Sequence, residues 1–101
     1  MKNISYKYPN SKSDVISNLN LQINIGTRIA FVGSTGSGKT TTVNILLQLL
    51  KQKEGELLLD GKPLDKKDIK NWQSNCAYVP QRFYLNNSTI LENVAFAKDL
   101  K

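Results

Sequence analysis

The chain has 101 residues, a formal net charge of +6 and no histidine. It therefore has no histidine that could act as a general base, as a metal ligand or as a phosphate sensor. With 40% hydrophobic and 22% charged residues, the composition is that of a globular domain and encodes neither a membrane span nor a secretory signal. The lysines are scattered along the chain, and aspartates interrupt their densest group at 62–70, which favours a solvated surface over a nucleic-acid partner.

The first third of the chain has the alternation of β-structure. Residues 4–8 alternate up to Pro9, and apolar side chains at every second position of 19–25 predict a half-exposed antiparallel strand that Gly26 ends. Residues 28–32 are continuously apolar after Arg28, which is typical of a strand covered on both faces. We predict that this run is the central strand of a parallel α/β core.

A phosphate-binding loop follows this run. Residues 33–40 fit the Walker A pattern G-x-x-x-x-G-K-[ST] and precede a helical stretch, Thr41 to Leu50. Glycines let backbone N–H groups surround phosphate oxygens, and the helix presents its positive end there, so a nucleoside triphosphate is the expected ligand. Lys39 is predicted to contact the β and γ phosphates, and the Thr40 hydroxyl to ligate magnesium. The predicted nucleotide-binding residues of this segment are Gly33, Ser34, Thr35, Gly36, Ser37, Gly38, Lys39, Thr40 and Thr41. The alternative is a Gly/Ser/Thr-rich turn with a solvated lysine.

In the predicted helix, a narrow polar stripe of Thr41, Asn44, Gln48 and Lys51 predicts that the other faces are mostly buried. Residues 56–59 predict a strand. Asp60 and Gly61 predict a hairpin turn rather than the end of a Walker B strand, because Asp-Gly is a strong turn signal.

The remaining elements are predicted to be short. Asp65 is expected to cap a helix that runs to Trp72, a packing residue, and residues 76–79 predict a strand that Pro80 stops. Thr89 and Glu92 form a capping-box pattern at the start of a helix over 90–97.

Taken together, the order and spacing of four segments resemble the ATP-binding cassette (ABC) proteins. The segments are Tyr8 with Pro9, the loop at 33–41, Glu-Gly-Glu-Leu-Leu-Leu-Asp-Gly at 54–61, and Tyr-Val-Pro-Gln at 78–81. The resemblance implies an α/β P-loop NTPase fold. Residues 1–101 would be the N-terminal part of a nucleotide-binding domain, with an antiparallel β subdomain and the start of the parallel-sheet core.

The resemblance also implies roles for two residues outside the loop. Tyr8 would stack on adenine, although alternation alone makes it an ordinary strand aromatic facing the core. Gln81 would be the Q-loop glutamine, whose amide oxygen coordinates magnesium and whose loop responds to a transport domain; without the motif it is a surface glutamine. Lys39 and Gln81 are therefore the two residues expected to serve catalysis, with ATP and Mg²⁺ as cofactors.

Residues 88–94 resemble the corresponding segment of exporter-type cassettes, whereas Arg82 and Phe83 depart from the usual exporter pattern. The implied partners are a second nucleotide-binding domain, in a head-to-tail dimer, and a transmembrane domain that holds the chain at the cytoplasmic face of a membrane. The signature motif, Walker B, the catalytic glutamate and the switch histidine are absent and would fall after Lys101. We therefore expect half a site and no hydrolysis by this chain alone.

Two other functions fit the same residues. One is a non-catalytic, truncated nucleotide-binding remnant that folds only with a partner. The other is a soluble ABC ATPase of DNA repair or translation, to which the positive charge lends slight support.

Overall fold

The structure is a computed structural model that describes residues 1–95. No helix among these residues has the length and apolar character needed to cross a bilayer. The elements, in chain order, are β1 (Lys2–Tyr6), β2 (Ile16–Leu19), α1 (Lys39–Leu46), β3 (Glu54–Glu56), β4 (Leu58–Leu59), β5 (Lys62–Pro63), α2 (Ile69–Ser74) and α3 (Ile90–Val94).

A three-stranded antiparallel sheet with the order β2-β1-β3 confirms the antiparallel part of the prediction. Both ladders are irregular. Between the β1–β2 pairs Ile4–Leu19 and Tyr6–Ile16 the register shifts by one residue, and Asn18 takes up the extra residue with a φ of 50°. The Ser5 hydroxyl oxygen accepts the Asn18 backbone N–H at 3.0 Å, so a side chain replaces the ladder bond that the bulge removes.

The core lies between this sheet and α1. Ile4, Tyr6, Ile16 and Ile45 are buried and form one cluster. Ile4 and Tyr6 share one face of β1 because strand side chains alternate, and Ile45 comes from the helix. The phosphate-loop helix is therefore fixed to the sheet by its apolar face.

The predicted parallel core is not present in the described part of the chain. Residues 28–32 and 76–79 join no strand pair, and every pairing within 1–95 is antiparallel. The side chains of Ile29, Val32 and Val79 are exposed, the last two by 93% and 90%. An apolar run becomes a buried strand only where neighbouring strands pair with it and other elements cover its side chains. None of the strands within 1–95 pairs with these two runs.

The strand predicted over 19–25 is also shifted. It occupies Ile16–Leu19, and Ile23 and Ile25 are exposed. Residues 20–25 belong to no strand in the described chain, so their alternation does not locate β2, which lies before them.

Helix α1 starts earlier and ends earlier than predicted. Its last turn closes with Gln48 at a φ of 55°, and the backbone N–H groups of Gln48 and Leu49 donate to the carbonyls of Ile45 and Asn44. This is a Schellman-type ending with glutamine at the left-handed position. The prediction that the faces outside the polar stripe are the buried ones is wrong at two positions: Thr41, on the stripe, is 5% exposed, and Leu49, outside it, is 56% exposed.

The turn at Asp60 and Gly61 is confirmed. It joins β4 to β5, and positive φ angles of 50° and 79° at its two residues are those of a type I′ hairpin. Asp65 does not cap the next helix: its carbonyl accepts the N–H of Asp68, and α2 begins only after Asp68.

The capping box at α3 is confirmed. The Thr89 hydroxyl oxygen accepts the Glu92 N–H at 3.2 Å, and the Glu92 carboxylate accepts the Thr89 N–H at 2.8 Å. The hydrogen bonds from the backbone and then the side chain of Thr89 hold the pKa of Glu92 below its ordinary value. The helix runs to Val94, and the last two residues of the predicted helix, 96 and 97, lie outside the described residues.

Helix α2 caps the carboxyl end of α1 with two side chains. The indole N–H of Trp72 donates to the Leu46 carbonyl at 2.9 Å, and the Gln73 amide donates to the Leu47 carbonyl at 3.1 Å. The last carbonyls of a helix lack partners within it, so these bonds stabilise its end. The indole of Trp72 thus contacts the end of α1 through a hydrogen bond.

Trp72→Phe is expected to lower the free energy of unfolding by about 1 kcal/mol, because it keeps an aromatic ring but removes the donor to Leu46. Urea denaturation followed by circular dichroism measures the change. Tyr78→Phe, which removes a polar group from an exposed ring, should leave the midpoint unchanged. Equal midpoints for Trp72→Phe and the unmodified chain would rule out a stabilising role for the indole bond.

Candidate nucleotide-binding site

The predicted phosphate-binding loop leads into the amino end of α1, as the sequence indicates. Gly38 is the residue before the helix and has a φ of 89°, in the left-handed region that glycine adopts at little cost. It is buried, and a Cβ at this position would lie 3.3 Å from the Val15 carbonyl oxygen. The loop is therefore held close to the segment that leads into β2.

The Lys39 ammonium folds back over the loop that precedes it. Its Nζ donates to the carbonyl oxygens of Gly33 and Ser34, both at 2.8 Å, and to the Ser37 hydroxyl at 3.3 Å. A positive charge is thereby held beside the amino end of α1, where the helix dipole also favours an anion. This is the electrostatic arrangement that a polyphosphate requires.

The loop is compact as well as charged. The Ser37 N–H donates to the Ser34 carbonyl at 3.2 Å, and a Cβ at Gly33 would lie 2.7 Å from the Ser37 hydroxyl oxygen. A larger residue at 33 would displace Ser37 and with it a contact of Lys39. Ser34, Thr35 and Ser37 themselves are exposed.

The two threonines after Lys39 face different surroundings. Thr40 is exposed, so its hydroxyl is accessible to a ligand, whereas Thr41 is buried and lies 3.0 Å from the Tyr8 hydroxyl oxygen. Tyr8 is 38% exposed. The rings of Tyr8 and Tyr6 pack perpendicular to each other, with their centroids 5.0 Å apart. The structure thus brings Tyr8 to the phosphate loop.

Gln81 lies apart from this group. It is exposed, and within residues 1–95 no hydrogen bond joins it to Lys39 or Thr40. Its role in binding magnesium stays a prediction.

An open groove of about 950 Å³ in the described chain is lined by none of the predicted site residues. Its lining residues are Met1, Lys2, residues 20–25, Leu58, Asp60 and Gly61. A phosphate loop binds through backbone N–H groups at a helix end and needs no deep apolar cavity, so groove size does not locate this site.

Two features of the site were not predicted from the sequence. They are the hydrogen bond between Tyr8 and Thr41 and the contact between Tyr8 and Tyr6. The spacing of the tyrosines is a signal for the second contact, since residues two apart in extended chain share a face. No local signal reveals the first, which joins residues 33 positions apart.

Comparison with known proteins agrees with the motifs. The sequence model of the ABC transporter family matches residues 16–101. An "ATP-dependent lipid A-core flippase" of Wigglesworthia glossinidia brevipalpis is 37% identical over 97 residues, which cover 96% of this chain and 17% of that protein.

Two further relatives come from distant organisms. "ABC transporter B family member 26, chloroplastic" of Arabidopsis thaliana is 38% identical over 95% of the chain and 14% of its own length. "Transport/processing ATP-binding protein ComA" of Streptococcus pneumoniae is 40% identical over 92% of the chain and 13% of its own length. The chain therefore spans less than a fifth of the curated relatives it matches. The resemblance seen in the motifs is confirmed, and the chain belongs to the ABC transporter family as a part of its nucleotide-binding domain.

Proposed function

We propose that this chain is the ATP-binding part of an ABC exporter, in which ATP binding and hydrolysis drive a substrate across a membrane. The observation that carries the proposal is the Lys39 ammonium, held 2.8 Å from the Gly33 and Ser34 carbonyls at the amino end of α1. Export is supported by the relatives, whose names include a flippase and a transport/processing protein.

The phosphates of ATP would lie against the loop, where Lys39 exchanges its carbonyl partners for phosphate oxygens. This exchange is favourable because a bond between two opposite charges is stronger than a bond from an ammonium to a neutral carbonyl. The backbone N–H groups of 34–40 and the dipole of α1 add to the same attraction. Gly33, Gly36 and Gly38 keep the loop narrow enough for the backbone to approach the ligand.

Magnesium fits the donor set at the start of α1. The exposed Thr40 hydroxyl is a hard oxygen ligand adjacent to Lys39, and Mg²⁺ favours such oxygens together with phosphate and water. The bound ion would neutralise part of the polyphosphate charge. Gln81 is proposed as a second protein ligand, which requires its loop to approach Thr40.

The base of ATP would stack on Tyr8. Two observations support this role: the ring is partly exposed, and its hydroxyl bonds to Thr41 near the start of α1. Stacking of a base on an aromatic ring is worth about 1–3 kcal/mol.

The proposed partners are a second nucleotide-binding domain and a transmembrane domain, with the site at the cytoplasmic face of the membrane. No Walker B, catalytic glutamate or signature motif occurs in the 101 residues. Hydrolysis therefore needs groups that this chain does not contain, and binding is its own measurable activity.

Thr40→Val is expected to remove most of the gain in ATP affinity that magnesium gives, on the order of tenfold, because valine keeps the shape but lacks the oxygen ligand. Calorimetric titration with ATP, in magnesium and in excess chelator, measures this gain. Thr27→Val changes a surface threonine whose hydroxyl donates to the Asn24 carbonyl, and it should keep the full gain. An undiminished magnesium effect in Thr40→Val would exclude Thr40 as the ligand.

A further inference from the structure

The ring of Tyr8 is held at two points. Its hydroxyl forms a hydrogen bond with the Thr41 hydroxyl, with an oxygen separation of 3.0 Å, and its ring packs at 88° to that of Tyr6. Tyr8 lies two residues beyond the end of β1, outside the sheet ladder. Its orientation is therefore set by side-chain contacts rather than by strand pairing.

The Thr41 end of this bond is unusual for a helical threonine. Such hydroxyls commonly bond to a carbonyl in the preceding turn, as Thr42 does with Gly38 at 2.9 Å. Thr41 instead has Tyr8 as its partner and is 5% exposed, so the bond is buried on its Thr41 side, while Tyr8 is 38% exposed. One turn of the helix thus carries both Thr40, which is exposed and is the proposed magnesium ligand, and Thr41, which bonds to Tyr8.

We propose that the Tyr8 hydroxyl is a positioning group that acts through Thr41 to hold the base-stacking ring at a set place relative to the phosphate loop. This inference rests on the proposed function and adds a role for an atom that need not touch the nucleotide. A side chain that is already ordered loses little conformational freedom when a ligand binds, so the two-point support favours ligands that carry both a base and a polyphosphate.

The contribution of the Tyr8 hydroxyl can be measured separately from that of the Tyr8 ring. Phenylalanine at position 8 keeps the surface on which a base stacks and the contact with Tyr6, and loses only the bond to Thr41. The variant should therefore bind ATP less well, whereas a ligand without a base should not distinguish it from the unmodified chain.

The experiment is calorimetric titration of the chain with MgATP and with magnesium tripolyphosphate. We expect Tyr8→Phe to weaken MgATP binding roughly three- to tenfold, the effect of one hydrogen bond, with tripolyphosphate binding unchanged. Tyr84→Phe removes a hydroxyl from an exposed tyrosine outside the predicted site and serves as the matched control, with both affinities unchanged.

The other end of the bond gives an independent test. Thr41→Val should weaken MgATP binding as Tyr8→Phe does, whereas Thr41→Ser keeps a hydroxyl and should bind MgATP like the unmodified chain. The Tyr8→Phe/Thr41→Val double variant should bind MgATP no more weakly than the weaker-binding of the two single variants. These variants keep the inference testable even where Tyr8→Phe fails to fold, as circular dichroism would show.

Three results would overturn the inference. They are an unchanged MgATP affinity in Tyr8→Phe, an equal loss for both ligands, and fully additive losses in the double variant. An unmodified, folded chain that binds neither ligand would instead refute the proposed function, and the inference with it. Binding of tripolyphosphate but not of ATP would leave the phosphate site standing and remove the role of Tyr8.

Discussion

Lys39→Ala is expected to weaken MgATP binding by roughly 10- to 100-fold, the largest loss of affinity from any single side chain of the site. The ammonium is the cation held over the loop, and hydrogen bonds to charged groups contribute about 1.5–3 kcal/mol each. Part of that energy already stabilises the empty loop, because Nζ bonds to the Gly33 and Ser34 carbonyls, so the measured loss is the difference between phosphate and carbonyl contacts. Fluorescence or calorimetric titration with MgATP measures it.

A matched control separates this local effect from a loss of overall charge. Lys51→Ala lowers the net charge equally and removes an exposed lysine just beyond α1. Its affinity should stay within about twofold of the unmodified chain, since exposed charges at a distance are screened by salt. Similar losses in the two variants would show that Lys39 acts only through general electrostatic attraction.

Gly55→Ala is expected to destabilise the three-stranded sheet by about 3 kcal/mol or more, from strain at a positive φ together with overpacking. Gly55 has a φ of 86°, and an added Cβ would lie 2.5 Å from the Lys2 carbonyl oxygen and closer still to that of Asn3. Both atoms belong to the backbone of β1, so they cannot rotate away as a side chain can. Single domains are stable by only about 5–15 kcal/mol, so this loss would be a substantial part of the total.

Gly26→Ala is the control for this prediction. Its φ is 72°, but nothing lies within 4 Å of an added Cβ, so it carries the conformational cost without the clash. Thermal and urea unfolding followed by circular dichroism compare the two variants. We expect Gly55→Ala to melt well below Gly26→Ala; equal melting temperatures would mean that β1 and β3 do not approach as closely as described.

The elements that the sequence predicts correctly are those fixed by neighbours in the chain. The glycine-rich turn into α1, the hairpin at Asp60 and Gly61, and the capping box at Thr89 each depend on residues within three or four positions. Side-chain chemistry and left-handed backbone angles decide such structures locally.

The elements that sequence reasoning places wrongly depend on partners elsewhere. Residues 28–32 have the composition of a buried strand. A strand also needs a partner strand to pair with, however, and the composition of one segment does not determine its partner. The bulge at Asn18 changes which residues of β2 face the core, and asparagine at a left-handed angle gives no unambiguous signal in a sequence.

The candidate site shows the same division. The Walker A pattern identifies the loop, Lys39 and Thr40 from their order alone. The bond between Tyr8 and Thr41 cannot be read from the sequence, because alternation predicts which way a strand residue faces and not which distant hydroxyl it meets. Thr41 stays a predicted nucleotide ligand, and its hydroxyl also has a protein partner in the Tyr8 hydroxyl.

The most direct test of the account is calorimetric titration of the unmodified chain with MgATP, on a sample whose circular dichroism and thermal transition show that it is folded. We predict saturable binding to one site, weakened by Lys39→Ala and not by Lys51→Ala. The absence of any heat of binding up to millimolar MgATP would contradict the central claim that the loop at 33–40, with Lys39, holds the phosphates of ATP.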